Sequence, residues 1–302
     1  MAAPEYDVIV IGSGITGLTA AKRLVQRGVK VANLEGGLFG GLVTNVNELE
    51  GAYGGSGADL ASTLMMEVSD LGCAALAESV TKLAPVADGI VVTSDAGSHH
   101  ARAVIVASGA KLKRLGVPGE AEFEYKGVSH CADCDGPMFQ GQDVVVAGGG
   151  DSALQEALVL SHYCARVRVI HHGRALVAKP HWIEALRQRD NVALMPQAEI
   201  DAIEGTDTVS AVRVRSQSDG SSRTIPCQGV FAYIGLVPAS DFLSAPIARD
   251  AQGFVLTDDA FATAMPGVYA AGAVRAGYGG TLEHAVREAE ASADAVLRRL
   301  RG

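Results

Sequence analysis

Aromatic residues make up only 5% of this 302-residue chain, tryptophan occurs once, and there are five cysteines. Five is odd and sparse, which argues against a disulfide-stapled scaffold. No apolar run approaches the roughly 18 residues that a membrane span requires. Positive charge is also short: 25 Lys+Arg against 34 Asp+Glu leave a net charge of −9. Such a chain is a poor electrostatic match for nucleic acid or an anionic membrane. The opening Met1-Ala-Ala-Pro-Glu-Tyr6 has neither the basic start nor the apolar core of a secretory signal, so a cytoplasmic protein is expected. Glycine, by contrast, is abundant, at 36 residues. No Gly-X-Y period accounts for it, so the surplus belongs in turns where backbone approaches a ligand. With 48% hydrophobic and 20% charged residues the chain can bury a full core. At about 150 residues per domain its length suggests two domains.

Two halves of the chain carry the same pattern. Tyr6–Ile11 is a short apolar, β-branched run read as a buried strand. Gly12-Ser13-Gly14-Ile-Thr-Gly17 follows, then a helical stretch to Arg27, a terminating Gly28 and a strand from Val29 to Leu34. In this β-α-β unit Gly12 permits the tight turn, Gly14 lets backbone approach a pyrophosphate and Gly17 lets helix pack on strand. Glu35, 21 residues beyond Gly14, is placed to accept from a ribose hydroxyl. The unit recurs with the strand Asp143–Ala147, the turn Gly148-Gly149-Gly150-Asp151-Ser152-Ala153, a helix from Ala153 to Tyr163 and a strand from Val167 to Ile170. Its ribose position reads His171-His172-Gly173-Arg174, with neither an acid for a free 2′-hydroxyl nor an arginine for a 2′-phosphate at the same place. This second unit either binds a nicotinamide cofactor or only packs.

Further strands running into glycine turns are Ala103–Gly109, Val230–Gly235 and Pro266–Gly272, and Thr281–Leu300 reads as a terminal amphipathic helix. Gly116–Gly119 and Gly235–Pro238 combine glycine and proline as linkers should. They imply an α/β fold of two nucleotide-binding domains, the second inserted into the first: residues 1–116 with 238–302, and residues 117–237.

Cys131-Ala-Asp-Cys134 stands 14 residues before the second glycine turn. A C-x-x-C in an α/β protein of this class reads as a redox disulfide. Zinc would need two more ligands nearby, and no second C-x-x-C exists, so no metal is expected. Asp135 follows directly and is a candidate proton donor and acceptor for thiol chemistry, or simply the start of an Asp-Gly turn. His130 is read as having no special role. Cys73, Cys164 and Cys227 sit in apolar context and are expected to be buried and inert.

Together these motifs resemble the low-molecular-weight thioredoxin reductases over nearly the whole chain. In the larger disulfide reductases the two cysteines lie in the first domain at wider spacing. The resemblance implies FAD in the discontinuous domain, nicotinamide in the inserted one, a homodimer, and a domain rotation presenting disulfide and nicotinamide alternately to the flavin. It also implies that Gly40 and Gly41 and the Ala107-Ser108-Gly109 turn lie beside FAD, that Cys134 is nearer the flavin, that Cys131 exchanges with substrate and that Asp135 moves protons.

The departures are specific. The family's His-Arg-Arg at the second ribose site is His171-His172-Gly173 here, with Val177 where another arginine usually follows. The late Ala-Gly-Asp turn is Ala271-Gly272-Ala273, and Arg-Gln-Ala on the flavin-side helix becomes roughly Gly280-Thr281-Leu282. The expectation is an FAD-dependent thiol–disulfide oxidoreductase acting on a thioredoxin-like protein or a small dithiol or disulfide, with NAD(P)H use left open. The rivals are a nicotinamide-independent disulfide reductase or dithiol oxidase, reduced by ferredoxin or using oxygen, and a flavin-binding sensory or structural paralogue.

Overall fold

The computed structural model describes residues 4–46, 49 and 53–301. The chain divides into two compact units, Met1–Lys111 with Val237–Gly302, and Leu112–Leu236. The first division falls before the Gly116-Val-Pro-Gly119 break. That segment is held inside the second unit: Glu120 accepts from the N–H groups of Leu115 (2.8 Å) and Gly116 (2.7 Å), and Ile203 N donates to Pro118 O (2.9 Å).

The first unit opens with β1 (Tyr6–Ile11), α1 (Ile15–Val25) and β2 (Val31–Leu34), followed by α2 (Gly57–Asp70), β3 (Ala74–Leu76), β4 (Val80–Val86), β5 (Gly89–Ser94) and β6 (Ser98–Val106). Parallel pairing joins β3, β2, β1 and the C-terminal half of β6, while β5 and β4 extend the sheet antiparallel from the other half of β6. Strand alternation buries both faces of β1. Val8 and Val10 pack with Leu18, Ala21 and Leu24 of α1, and Ile9 and Ile11 pack on the opposite side with Val104, Val106 and Met265.

The chain passes through β7 (Ala110–Leu112) into the second unit. There it forms β8 (Val128–Ser129), α3 (Ala132–Asp135), β9 (Asp143–Ala147), α4 (Asp151–Leu160), β10 (Arg166–His171), α5 (Pro180–Arg187), β11 (Val192–Pro196), β12 (Ala198–Gly205), β13 (Val209–Ser216), β14 (Ser222–Pro226) and β15 (Gly229–Ala232). The order β11-β10-β9-β15-β8 is parallel throughout, and β12, β13 and β14 form a separate antiparallel sheet. The β9 strand repeats the logic of β1: Val144 and Val146 pack with Ala153, Leu154 and Ala157 of α4, Val145 and Ala147 with Ile200 and Val212 of the antiparallel sheet.

After β16 (Leu236–Pro238) the first unit is completed by β17 (Val268–Ala270), parallel to β6, and by α6 (Leu282–Arg301), packed on α1. Both units are therefore parallel-sheet βαβ folds carrying an antiparallel addition. Open sheets of this kind bind ligands outside the carboxyl ends of their parallel strands.

Candidate nucleotide and disulfide sites

In the first unit four strands deliver the expected residues to one sheet end: Gly12 follows β1, Glu35 follows β2, Ala107 follows β6 and Gly272 follows β17 shortly after its end. Gly12 has φ +107, and a Cβ there would lie in hard contact with Ala107 O and 3.0 Å from Ser108 Cα. A Cβ at Gly17 would strike Gly12 O, so α1 can approach the end of β1 this closely only because residue 17 is glycine. Gly14 is the N-cap of α1 and no side chain caps the helix, which leaves its first N–H groups to an anion. The Gly40-Gly41 turn is tied to the same place, since Gly40 N donates to Ser13 O (2.7 Å) and Gly14 bridges Gly40.

Glu35 is already partly engaged. Its carboxylate accepts from Ser13 N at 2.8 Å and Gly37 N at 2.9 Å, and it retains lone pairs for further donors. Ser108 Oγ donates to Ala239 O (2.7 Å), and Gly109 O accepts from Ala239 N (2.9 Å). Gly272 approaches Thr16 so closely that a Cβ would strike its hydroxyl. Gly272 N donates to Glu288 Oε2 (2.8 Å), and Glu288, buried on α6, also pairs with Arg275, so the turn carrying Ala273 is anchored by a buried ion pair. The sequence reasoning missed Asn33, whose Oδ1 accepts from Ser13 Oγ (2.7 Å) and whose Nδ2 donates to Val10 O and Gly12 O. A lone polar residue in the apolar strand β2 was the available signal.

The second glycine turn is built alike. A Cβ at Gly148 would lie 2.9 Å from the Ala153 Cβ, whereas the space around Gly150 is open. The α4 helix also starts without a side-chain cap; Asp151 accepts from Lys179 N at 2.7 Å and lies 3.7 Å from Lys179 Nζ. Ser152 is exposed and Ala153 buried. His171 is buried against Gly149, and burial, followed by repulsion from His172, lowers its pKa. His172, Arg174 and Val177 are exposed.

Cys131 and Cys134 are joined as a disulfide. Cys131 is the N-cap of α3, its Sγ accepting from Cys134 N at 3.1 Å. Cys131 is buried and Cys134 exposed. Asp135 accepts from Ser129 Oγ at 2.6 Å, and the same hydroxyl accepts from Cys131 N at 3.2 Å. His130 Nε2 is instead engaged by Glu124 at 3.0 Å. Two further residues missed in sequence, Glu156 on α4 and Tyr233 after β15, both reach the Ala132 N–H. The other three cysteines are buried, which pushes the thiols of Cys73 and Cys164 to about 11 and that of Cys227 to about 12.

Comparison with known proteins agrees with this geometry. The family model described as pyridine nucleotide-disulphide oxidoreductase matches residues 6–289. The thioredoxin reductase of Treponema pallidum (strain Nichols) is 35% identical over 276 residues, covering 90% of each chain. That of Listeria innocua is 35% identical over 276 residues, covering 90% of this chain and 86% of its own. Among solved structures, the thioredoxin reductase of Lactococcus lactis superimposes with a TM-score of 0.93 at 30% identity, covering 97% of this chain and 98% of its own. With both glycine turns and the cysteine pair in place and the match running through nearly the whole sequence, the chain belongs to the pyridine nucleotide-disulphide oxidoreductase family.

Proposed function

We propose that Cys131 and Cys134 are the redox pair through which this enzyme exchanges electrons with an external thiol or disulfide. The chain is an FAD-dependent thiol–disulfide oxidoreductase of the thioredoxin reductase type. The carrying observation is the disulfide itself, formed at the start of α3 and leading directly into the second glycine-turn unit.

The first unit fits a dinucleotide, with an uncapped helix start behind a turn where side chains are sterically excluded. Gly12, Ser13, Gly14 and Gly17 would hold the pyrophosphate and Glu35 the ribose. Gly40, Gly41, Ala107, Ser108, Gly109, Gly272 and Ala273 would line the rest of FAD. Bound FAD supplies two-electron exchange with the disulfide. In the dithiol state the Cys131 thiolate attacks a substrate disulfide, forming a mixed disulfide and expelling one substrate thiolate, which takes a proton. Cys134 then attacks the Cys131 sulfur, expelling the second substrate thiol and restoring the Cys131–Cys134 bond. Asp135, oriented by Ser129, serves as the proton donor and acceptor. The division of roles between the sulfurs follows the family resemblance. Mixed-disulfide trapping with Cys131→Ser and Cys134→Ser assigns them, the variant that keeps the exchanging thiol being the one that traps substrate.

The relatives named thioredoxin reductase point to a thioredoxin-like protein as substrate, with small dithiols or disulfides as the other class. A second reading, independent of nicotinamide, is favoured by the buried His171 and the exposed Val177 beside a glycine turn that lacks the family's arginines. For the first reading, Gly148, Gly150, Asp151, Ser152, Ala153, His171, His172 and Arg174 would form the nicotinamide site. No described helix is long and apolar enough to cross a membrane. A cytoplasmic homodimer is part of the proposal and is checked by light scattering. An anaerobic titration of the flavin with NADPH, NADH and dithiothreitol decides between the readings. Bleaching by a pyridine nucleotide, with turnover of thioredoxin, supports the first, and bleaching by the dithiol alone the second. A flavin that no donor reduces would sink both.

A further inference from the structure

Beneath the first turn of α3 lies a polar cluster. The N–H of Ala132, a fully buried residue, is shared between Glu156 Oε2 at 2.9 Å and the Tyr233 hydroxyl oxygen at 3.1 Å. The Tyr233 O–H donates to the same Glu156 oxygen at 3.0 Å. Glu156 comes from α4 and Tyr233 from the segment after β15, so two separate parts of the second unit converge on the peptide group that follows Cys131. On the other side of this turn, Cys134 N donates to Cys131 Sγ.

We propose that Glu156 is a positioning residue for the redox pair: it fixes the Cys131–Ala132 peptide group and, by its charge, sets how readily the exchanging thiol ionises. This rests on Cys131 and Cys134 being the redox pair. Burial pushes the Glu156 carboxyl up to about 7, opposed by the bonds from Ala132 and Tyr233, while the nearby Asp133 adds to the rise. The elements packed against α4 carry the titratable groups Asp133 and Asp135 (α3), Asp143 (β9), Arg166, Arg168 and His171 (β10), and His181, Glu184 and Arg187 (α5), and of these it is the charge of Asp133 that adds to the rise.

A negative charge this close to the cysteine turn opposes a thiolate, and a neutral carboxylic acid does not. The two ionisations are therefore coupled. Reduction of the disulfide by a dithiol breaks the S–S bond with two electrons. It takes up two protons to give two thiols, or one to give a thiol and a thiolate, as the reductant closes to its own disulfide. Near neutral pH the charge on Glu156 biases which of these forms.

The test uses the full chain, reduced anaerobically with dithiothreitol, freed of it and alkylated with iodoacetamide between pH 5 and pH 9. The peptide carrying Cys131 and Cys134 is followed by mass. Wild-type alkylation should show an inflection near the Glu156 titration. In Glu156→Gln, which keeps an acceptor for both donors, that inflection should vanish and the rate just above neutral pH, where the wild-type carboxylate is charged, should rise about three- to tenfold. Glu156→Asp should return the profile toward wild type. Tyr233→Phe, which removes one donor to the carboxylate, should move the inflection to higher pH and serves if Glu156→Gln does not fold. A Glu156→Gln profile superimposable on wild type, or an unmoved Tyr233→Phe inflection in its place, overturns the proposal. A pair that dithiothreitol does not open would instead overturn the redox reading on which it rests.

Discussion

Five cysteines are sorted by two physical quantities, burial and partner. Cys73, Cys164 and Cys227 are buried with thiols pushed to about 11 or 12, so at neutral pH almost none is thiolate. Replacing any of them by Ser should leave thioredoxin-type turnover within about twofold of wild type. Cys131→Ser or Cys134→Ser should lower it by at least about a hundredfold while bound flavin is retained, because exchange needs both an attacking and a resolving sulfur. Coupled disulfide-reduction assays alongside flavin absorbance check this, and full turnover in Cys131→Ser would make the pair structural. Glu156 gives a residue-scale effect on stability. Its carboxyl is held at about 7, above the ordinary 4.5, so the native state keeps a proton that the unfolded chain releases. Unfolding free energy should therefore fall as pH rises from about 4.5 through 7, by at most about 3 kcal/mol. Glu156→Gln should flatten that slope, as urea unfolding at pH 5 and pH 8 would show; equal slopes in the two proteins would contradict the assignment.

At the scale of elements, the strands and helices around the two glycine turns were legible because their signals are local: a β-branched run, a turn where only glycine fits, a periodic helix. The boundaries shifted little. The second-half helix, expected from Ala153, begins at Asp151 because Gly150 already serves as its N-cap. The antiparallel additions were not read, although β13 alternates cleanly, with Val212 and Val214 buried and Arg213 and Arg215 exposed. Least legible was the network holding each turn. Glu288 lies 16 residues beyond Gly272, and only the packing of α6 on the sheet end brings them together. Its role leads to an element-scale expectation. Glu288→Ala would leave the largely buried Arg275 guanidinium unpaired and the Gly272 N–H without its acceptor. Breaking a buried pair from one side costs about 3–5 kcal/mol. Denaturant unfolding should show a loss of that size, and FAD affinity should fall with it because the Ala273 turn loses its anchor. A loss below about 1 kcal/mol would mean that the turn is held by Thr16 and β17 alone.

For the molecule as a whole, the open question is which reductant drives it, and the two nucleotide units answer differently. The first keeps the uncapped helix start and the Glu35 carboxylate of a dinucleotide-binding turn, although Ala273 stands where the family has an aspartate. The second keeps the turn and the open space at Gly150 but not the cations. His171 cannot replace an arginine, because burial lowers its pKa and holds it neutral at pH 7. Lys179 is engaged with Asp151. Arg174 is then the one exposed arginine in the 171–179 segment, without an ion pair among the described residues. Each charge-assisted hydrogen bond to a 2′-phosphate contributes roughly 1.5–3 kcal/mol, or about tenfold or more in affinity. NADPH should accordingly reduce the flavin slowly and with little advantage over NADH. The double variant His172→Arg with Gly173→Arg should raise the NADPH-over-NADH ratio at least about tenfold at low salt, and the gain should shrink as salt screens these exposed charges. Stopped-flow bleaching with each nucleotide, in wild type and variant, measures both ratios. Rapid saturable reduction of the wild type by micromolar NADPH at pH 8, with NADH far slower, would show that Arg174 and its neighbours already supply what the missing arginines do elsewhere, and the nicotinamide-independent reading would fall with it.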